Sequence, residues 1–371
     1  MIKLLNILQE ITVGPNLIYQ KVLNYIQNGS QGDLDLEGTD IKRLPNGLKV
    51  VGGDLKLYKA PIQSLPDNLK VGGSLDLRVT LIQSLPNGLE VGGYLDLRGT
   101  NIKELPNDLK VGGSLHLENT PIKSLPDGLK VKDSLYLHGT KVQVLPDNLE
   151  VGDSLWLVDT SIQSLPNNLK VKGNLHLSNT PIRSLPNDLK VGGSLFLENT
   201  PIKSLPDGLK VGRGIYLKNS LIESLPNGFK VRGSLDLDGT PVQSLPNNLK
   251  VKDNLYLHGT KVQVLPDNLE VGKNLYISGP EIQSLSNNLK VGENLNLKDT
   301  PIQVLPSSLD VGGYLDLRGT NIKELPNDLK VGRILYLKDT PLAVKLLSKK
   351  YTKEELKAEF PSGVQGKIRL K

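Results

Sequence analysis

The chain has 371 residues, 45 basic and 39 acidic, and its formal net charge of +6 is no more than solubility requires. Cysteine is absent, which excludes disulfides, thiolate metal sites and a cysteine nucleophile. With only 3 Phe, 1 Trp and 1 Met, the apolar content rests on Leu, Val and Ile, so any core is aliphatic.

Residues 1–29 begin with Ile2, Leu4, Leu5, Leu8 and Ile11 and continue after Pro15 with Leu17, Ile18, Val22, Leu23 and Ile26. That spacing predicts two short helices forming an N-terminal cap. The first apolar run is cut by Asn6, Gln9 and Glu10 and no small-residue cleavage site follows. The default expectation is therefore an intracellular chain without a secretion signal. No run approaches ~18 apolar residues, so no membrane span is expected.

Residues 30–345 are repetitive. From Leu65 the frame LPxxLxVxGxLxLxxTxIxx recurs every 20 residues, as in LPDNLKVGGSLDLRVTLIQS (65–84) and LPNDLKVGGSLHLENTPIKS (105–124). Sixteen LxL-type elements begin at Leu34, Leu55 and Leu75 and continue to Leu335; the one 21-residue step comes from the Val50-Val51 pair. Period-two alternation puts both leucines inside and the middle residue outside. Such strands stack as a parallel sheet about 4.8 Å apart. Leu69 with Val71, and Ile82 with Leu85, supply further inward pairs. Gly72 and Gly73 read as a bend needing positive φ, and the Pro of each LP pair as a corner. A threonine ladder runs from Thr80 to Thr340, broken at Ser220 and Pro280; its hydroxyls are expected to satisfy backbone groups at a bend. Twenty residues leave no room for a helix in each coil. The expected fold is thus a mainly β (or α/β-type) solenoid of about 16 coils, gently curved, with short helical caps. In the C-terminal cap, 346–371, Thr352 and Glu355 suggest a capping box. A helix over 353–360 would turn Leu356 and Phe360 inward, and Ile368 and Leu370 suggest a last partial strand.

The segment LDLRGTNIKELP (95–106) resembles the LxLxxNxLxxLP signature of the leucine-rich repeat superfamily, and the resemblance covers roughly residues 30–345. The short coil with its LP pair is similar to the bacterial class found in secreted effectors and to arrays in phage and large-virus proteins. Thr stands where the superfamily usually has Asn, and an LxVxG segment precedes each strand. The resemblance implies ligand binding on or near the strand face without implying a ligand. Bacterial effectors of this class often carry a cysteine-dependent ubiquitin ligase domain; with no cysteine and no room for it, that activity is not carried over. Near-copies of whole blocks, such as 131–151 in 251–271, suit a binding face or spacer better than a catalytic centre.

The informative positions are the outward residues of LxL. Tyr136, Trp156, His176, Phe196 and Tyr216 form a predicted exposed aromatic band, the kind of surface that marks interface hot spots. His116 precedes it, and Asp76 and Asp96 on one side with Asp236 and Asp316 on the other bracket it with charge. A second stripe at the x of LxV has lysine at eleven of fifteen coils, with acids at Glu90, Glu150, Glu270 and Asp310. Lysine in place of arginine, and those acids, disfavour nucleic acid as partner. No nucleophile–base pair, phosphate loop or metal-ligand spacing appears, so neither enzyme activity, metal nor cofactor is expected. The sequence points to a non-catalytic protein-binding scaffold. The alternatives are a carbohydrate or cell-surface adhesin, whose rings would stack on sugars, and a structural spacer.

Overall fold

The computed structural model describes residues 17–279, 281–349, 351, 353–364 and 367–370. Two compact units divide the chain, Met1–Gly173 and Asn174–Lys371. Both are built from the same coil, the repeating turn of a parallel-strand β-solenoid.

In the first unit the LxL strands run from Leu34–Asp35 to Leu155–Trp156, each paired in parallel with the equivalent residue of the next coil, as Leu75↔Leu95 and Asp76↔Asp96. A second parallel sheet is made by the LxV segments, from Val50–Val51 to Lys170–Val171. Between the sheets, Leu69, Leu75, Leu77 and Ile82 are fully buried, and the pattern recurs coil after coil. The extra residue of the 21-residue step puts Val50, not Lys49, opposite Lys70.

The second unit repeats the pattern from Leu175–His176 to Ile334–Tyr336, and the strand Lys367–Arg369 adds a last parallel partner, Leu335↔Ile368. Its LxV sheet is interrupted: Lys190–Val191 pairs with Lys210–Val211, and a separate sheet begins at Lys230–Val231.

The threonine ladder is structural. The Leu77 carbonyl accepts from both the Thr80 amide, 3.2 Å, and the Thr80 hydroxyl, 2.7 Å. The same pair closes the bend at Thr100, Thr120, Thr180 and Thr340. In the second coil Ala60 keeps only the backbone bond to Leu57.

The glycine reading is corrected. Gly72 and Gly73 are not among the positive-φ residues. Their need is space: a Cβ on Gly72 would lie 2.3 Å from the Gly52 carbonyl oxygen. Left-handed backbone falls instead just before the threonines, at Val79, Gly99, Asn119, Gly139 and Asn199, and after the LP corner at Asn68, Gly88 and Asn148. Glycine, Asn and Asp suit that region; Val79 does not.

At the amino end, a helix spans Leu17–Gln27 with Val22 buried. The Tyr25 hydroxyl lies within hydrogen-bond distance of the Ser30 and Gly32 carbonyls, which share its one O–H, and accepts from the Gly52 amide. The other expected N-terminal helix lies outside the described residues. At the carboxyl end a helix missed by the sequence reading covers Pro341–Leu347. Thr340 caps it by accepting from the Ala343 amide, and Pro341 stands in its first turn, where a missing N–H costs nothing. A shorter helix follows at Lys353–Ala358, with Phe360 buried behind it and Leu356 half-buried. The Thr352 capping position lies outside the described residues.

Candidate binding face on the LxL sheet

On each unit, the middle residues of LxL and the residues two further on project from the same side, as strand alternation requires. What they do there depends on side-chain chemistry. In the first unit His116 and Tyr136 stack with ring centroids 4.4 Å apart and 6° between planes, and Tyr136 and Trp156 follow at 5.8 Å and 20°. Tyr94 meets His116 edge-on. In the second unit His176 and Phe196 stack at 4.2 Å and Phe196 and Tyr216 at 4.7 Å, with planes 7° and 5° apart. Tyr256 and Tyr276 form another stacked pair at 4.9 Å.

The in-register strands set this spacing, because adjacent parallel strands sit at the thickness of two stacked rings. The consequence corrects the expectation of an exposed band. Tyr136, Trp156, Phe196 and Tyr216 are only half-exposed, and His176 is 8% exposed. Within each ladder, rings cover their neighbours' faces, and the ring nitrogens Trp156 Nε1 and His176 Nε2 are buried. Burial pushes the His176 imidazole down to about 4, so it is neutral at physiological pH.

The bracketing acids are corrected too. Asp76 and Asp96 are 6% and 3% exposed rather than solvated charges. Each is held by the arginine two residues on: Arg78 Nε and Nη2 donate to Asp76 at 3.0 and 2.6 Å, and Arg98 does the same to Asp96. Arg318 repeats the fork on Asp316. Such bidentate pairs occupy both oxygens of each carboxylate. His116 likewise meets Glu118 two residues on, at 3.2 Å. The sequence reading missed Arg78, Arg98 and Arg318. The signal was present, since residues i and i+2 of a strand share a face.

Asp236 is the exception. It is half-buried, and the residue two further on is Asp238. Burial raises its pKa above the ordinary carboxylate value, outweighing the hydrogen bond from the Asp238 amide.

The lysine stripe lies on the other sheet. Glu90 sits between Lys110, 2.8 Å, and Lys70, 3.4 Å, and its pKa is lowered by hydrogen bonding to both, Lys110 first. Lys130–Glu150 and Lys250–Glu270 are further rungs. The acids balance the stripe locally, as opposite charges across a ladder do. A shallow groove in the first unit crosses this sheet near Val71, Gly92 and Lys110, and the Lys70–Glu90–Lys110 rungs line it. Among the described residues no group of three or more His, Asp or Glu is placed to hold a metal ion. No described helix is long and apolar enough to cross a membrane.

No family model matches the chain, and no curated protein matches it. Solved structures do. YopM from Yersinia enterocolitica is 17% identical with a TM-score of 0.37, covering 97% of both chains. A leucine-rich-repeat protein of Leptospira interrogans is 18% identical with a TM-score of 0.42, over 91% of this chain and 95% of that one. YopM from Yersinia pestis, described as a leucine-rich effector protein, is 16% identical with a TM-score of 0.38, over 97% of this chain and 96% of that one.

Proposed function

We propose that the chain is a non-catalytic scaffold that binds another protein through the LxL face of each unit, with Tyr136 and Trp156 as the central contacts of the first, supported by Asp76, Asp96 and His116, and Phe196 and Tyr216 as those of the second, supported by His176. One observation carries this reading. The framework slots are nearly uniform, yet the outward slot accepts Lys56 and Asn296 with the strand register intact. The fold does not need a ring there, so the stacked rings have another use. Held by their neighbours, they lose little rotamer freedom on binding, which is what makes Tyr and Trp effective anchors.

The same stacking disfavours a glycan. Sugars pack on open ring faces, and inside each ladder those faces are occupied. A spacer would need no outward rings at all. In this reading residues 1–29 and 346–371 act as caps over the end coils, supported by the buried Val22 and Phe360. The helix Pro341–Leu347 spans the junction with the C-terminal cap and buries Leu342, Ala343 and Leu346. The experiment is to replace Tyr136, Trp156, Phe196 and Tyr216 by Asn, the residue the slot carries at Asn296, and to ask whether a partner captured by the wild type is lost.

A further inference from the structure

The second unit contains its own template for what Asp236 lacks. At Asp316 the Arg318 guanidinium forks onto the carboxylate and lies over the ring of Tyr336, 5.2 Å from its centroid. Tyr336 is the residue that pairs with Asp316 on the next strand. Asp236 pairs in the same register with Tyr256. Both acceptors of the guanidinium, carboxylate and ring, are therefore present in the 236 coil. The local sequences are LDLRGT (315–320) and LDLDGT (235–240), which differ only in that Asp238 replaces arginine. In the first unit Asp96 sits in the same LDLRGT and is likewise forked by Arg98.

The neighbours of Asp236 add a second feature. Tyr216 stacks on Phe196 on one side and pairs with Asp236 on the other. Tyr256 stacks on Tyr276 and pairs with Asp236 from the opposite side. Asp236 thus interrupts the ring ladder and leaves one face of each tyrosine toward it. Two strand spacings, about 9.6 Å, separate those slots, wide enough for a planar cation between rings. Of the charges around Asp236, Lys218 lowers its pKa and Glu198 raises it, and Lys218 makes no ion pair with it among the described residues. Asp238 accepts from the His258 amide, 2.7 Å, and so adds negative charge without supplying a cation. Asp35 also lacks a following arginine, but it is exposed and pairs with Lys56 rather than with rings.

We infer that the Asp236 slot, walled by Tyr216 and Tyr256, takes an arginine side chain from the bound protein, completing in trans the carboxylate–guanidinium–tyrosine arrangement that Arg318 completes in cis. Carboxylate fork and ring stacking together select guanidinium over the point charge of lysine. This inference rests on the LxL face being the binding surface, and it names one group of the partner.

The test uses the full chain with 13C-labelled tyrosine and N-acetyl-arginine amide as probe, Tyr216 and Tyr256 being assigned by Tyr→Phe replacement. The probe should shift both rings, and N-acetyl-lysine amide should bind at least several-fold more weakly. Asp236→Asn should weaken the arginine probe at least about tenfold, as loss of a charge-assisted fork predicts. Asp238→Arg should abolish its binding by filling the slot from within the coil. A melting curve for each variant establishes that it is folded. Absence of a shift at both tyrosines in the wild type, equal binding of the lysine probe, or unchanged arginine binding in both variants overturns the inference. Partner capture is a separate readout. A captured protein that needs the ring ladder but not Asp236 leaves the proposed interface standing without its arginine. Arginine binding with capture indifferent to the rings does the reverse.

Discussion

At the residue scale, the coil's demands are visible where one position breaks them. Val79 holds φ 57 at a position filled in the other coils by Gly, Asn or Asp and once by Lys59, and it is 53% exposed. A β-branched residue in left-handed backbone costs on the order of 1–3 kcal/mol, and little burial is lost on replacing it. Val79→Asn should stabilise the chain by about 1 kcal/mol in urea unfolding; a neutral or destabilising result contradicts the assignment of strain. His176 makes the opposite trade. Its folded pKa of about 4 lies below the unfolded ~6.5, so the unfolded chain takes up a proton the folded one refuses. Its contribution is whole above the unfolded value and is lost as pH falls through the window from about 6.5 to about 4, by up to about 3 kcal/mol. His176→Phe copies the neighbouring Phe196 slot and has no proton to accept. Melts at pH 7 and pH 4 should show the variant gaining on the wild type at the lower pH, whereas parallel curves would refute the cause.

At the scale of the element, close approach of backbones sets the strength of the LxV sheet. Where glycine follows the valine, a Cβ would meet the preceding coil's carbonyl oxygen, at 2.1 Å for Gly92 and 2.0 Å for Gly212. Lys132 fills this position, and there the register shrinks to Val131↔Val111. Arg232 fills it next to Phe229, which replaces the usual leucine, and between Lys210–Val211 and Lys230–Val231 the sheet stops. Full pairing survives at Lys172, over Gly152, and at Lys252, over Arg232. Arg232→Gly with Phe229→Leu should rejoin the two sheets. Amide hydrogen exchange at position 232 and at Lys230 should then slow about tenfold, the effect of one added hydrogen bond worth about 1 kcal/mol; unchanged exchange would place the break elsewhere.

The same elements explain what the sequence could and could not reveal. Leu75, Leu77, Val71 and Ile82 are inward because period and strand alternation leave no other choice, and all four are buried. The pairing of Asp76 with Arg78 was equally local, though it went unread. The reason for Gly72 was not local: only stacking of one coil on another shows that its lack of Cβ answers a carbonyl. Nor does spacing reveal whether a ring such as Phe196 presents its face or its edge, because the ring 20 residues away decides it. The helix at Pro341–Leu347 was hidden by a frame that predicts the coil to continue, although Thr340 and Pro341 form a cap signal.

At the scale of the whole molecule, many coils supply a sheet whose framework is fixed and whose outward slot is free to vary. The binding role proposed above would use that division, with stability coming from neighbouring coils and specificity from the outward residues. The central claim is that the partner is held by the stacked rings of that face and not by the lysine stripe. Quantitative capture from native lysate measures this most directly, comparing the wild type with two folded variants. One carries Asn at Tyr136, Trp156, Phe196 and Tyr216; the other carries Gln at Lys110, Lys130, Lys190 and Lys210. A partner retained by the lysine variant and lost by the ring variant is the predicted result. A partner retained by the ring variant and lost by the lysine variant would contradict the account and move the interface to the other sheet.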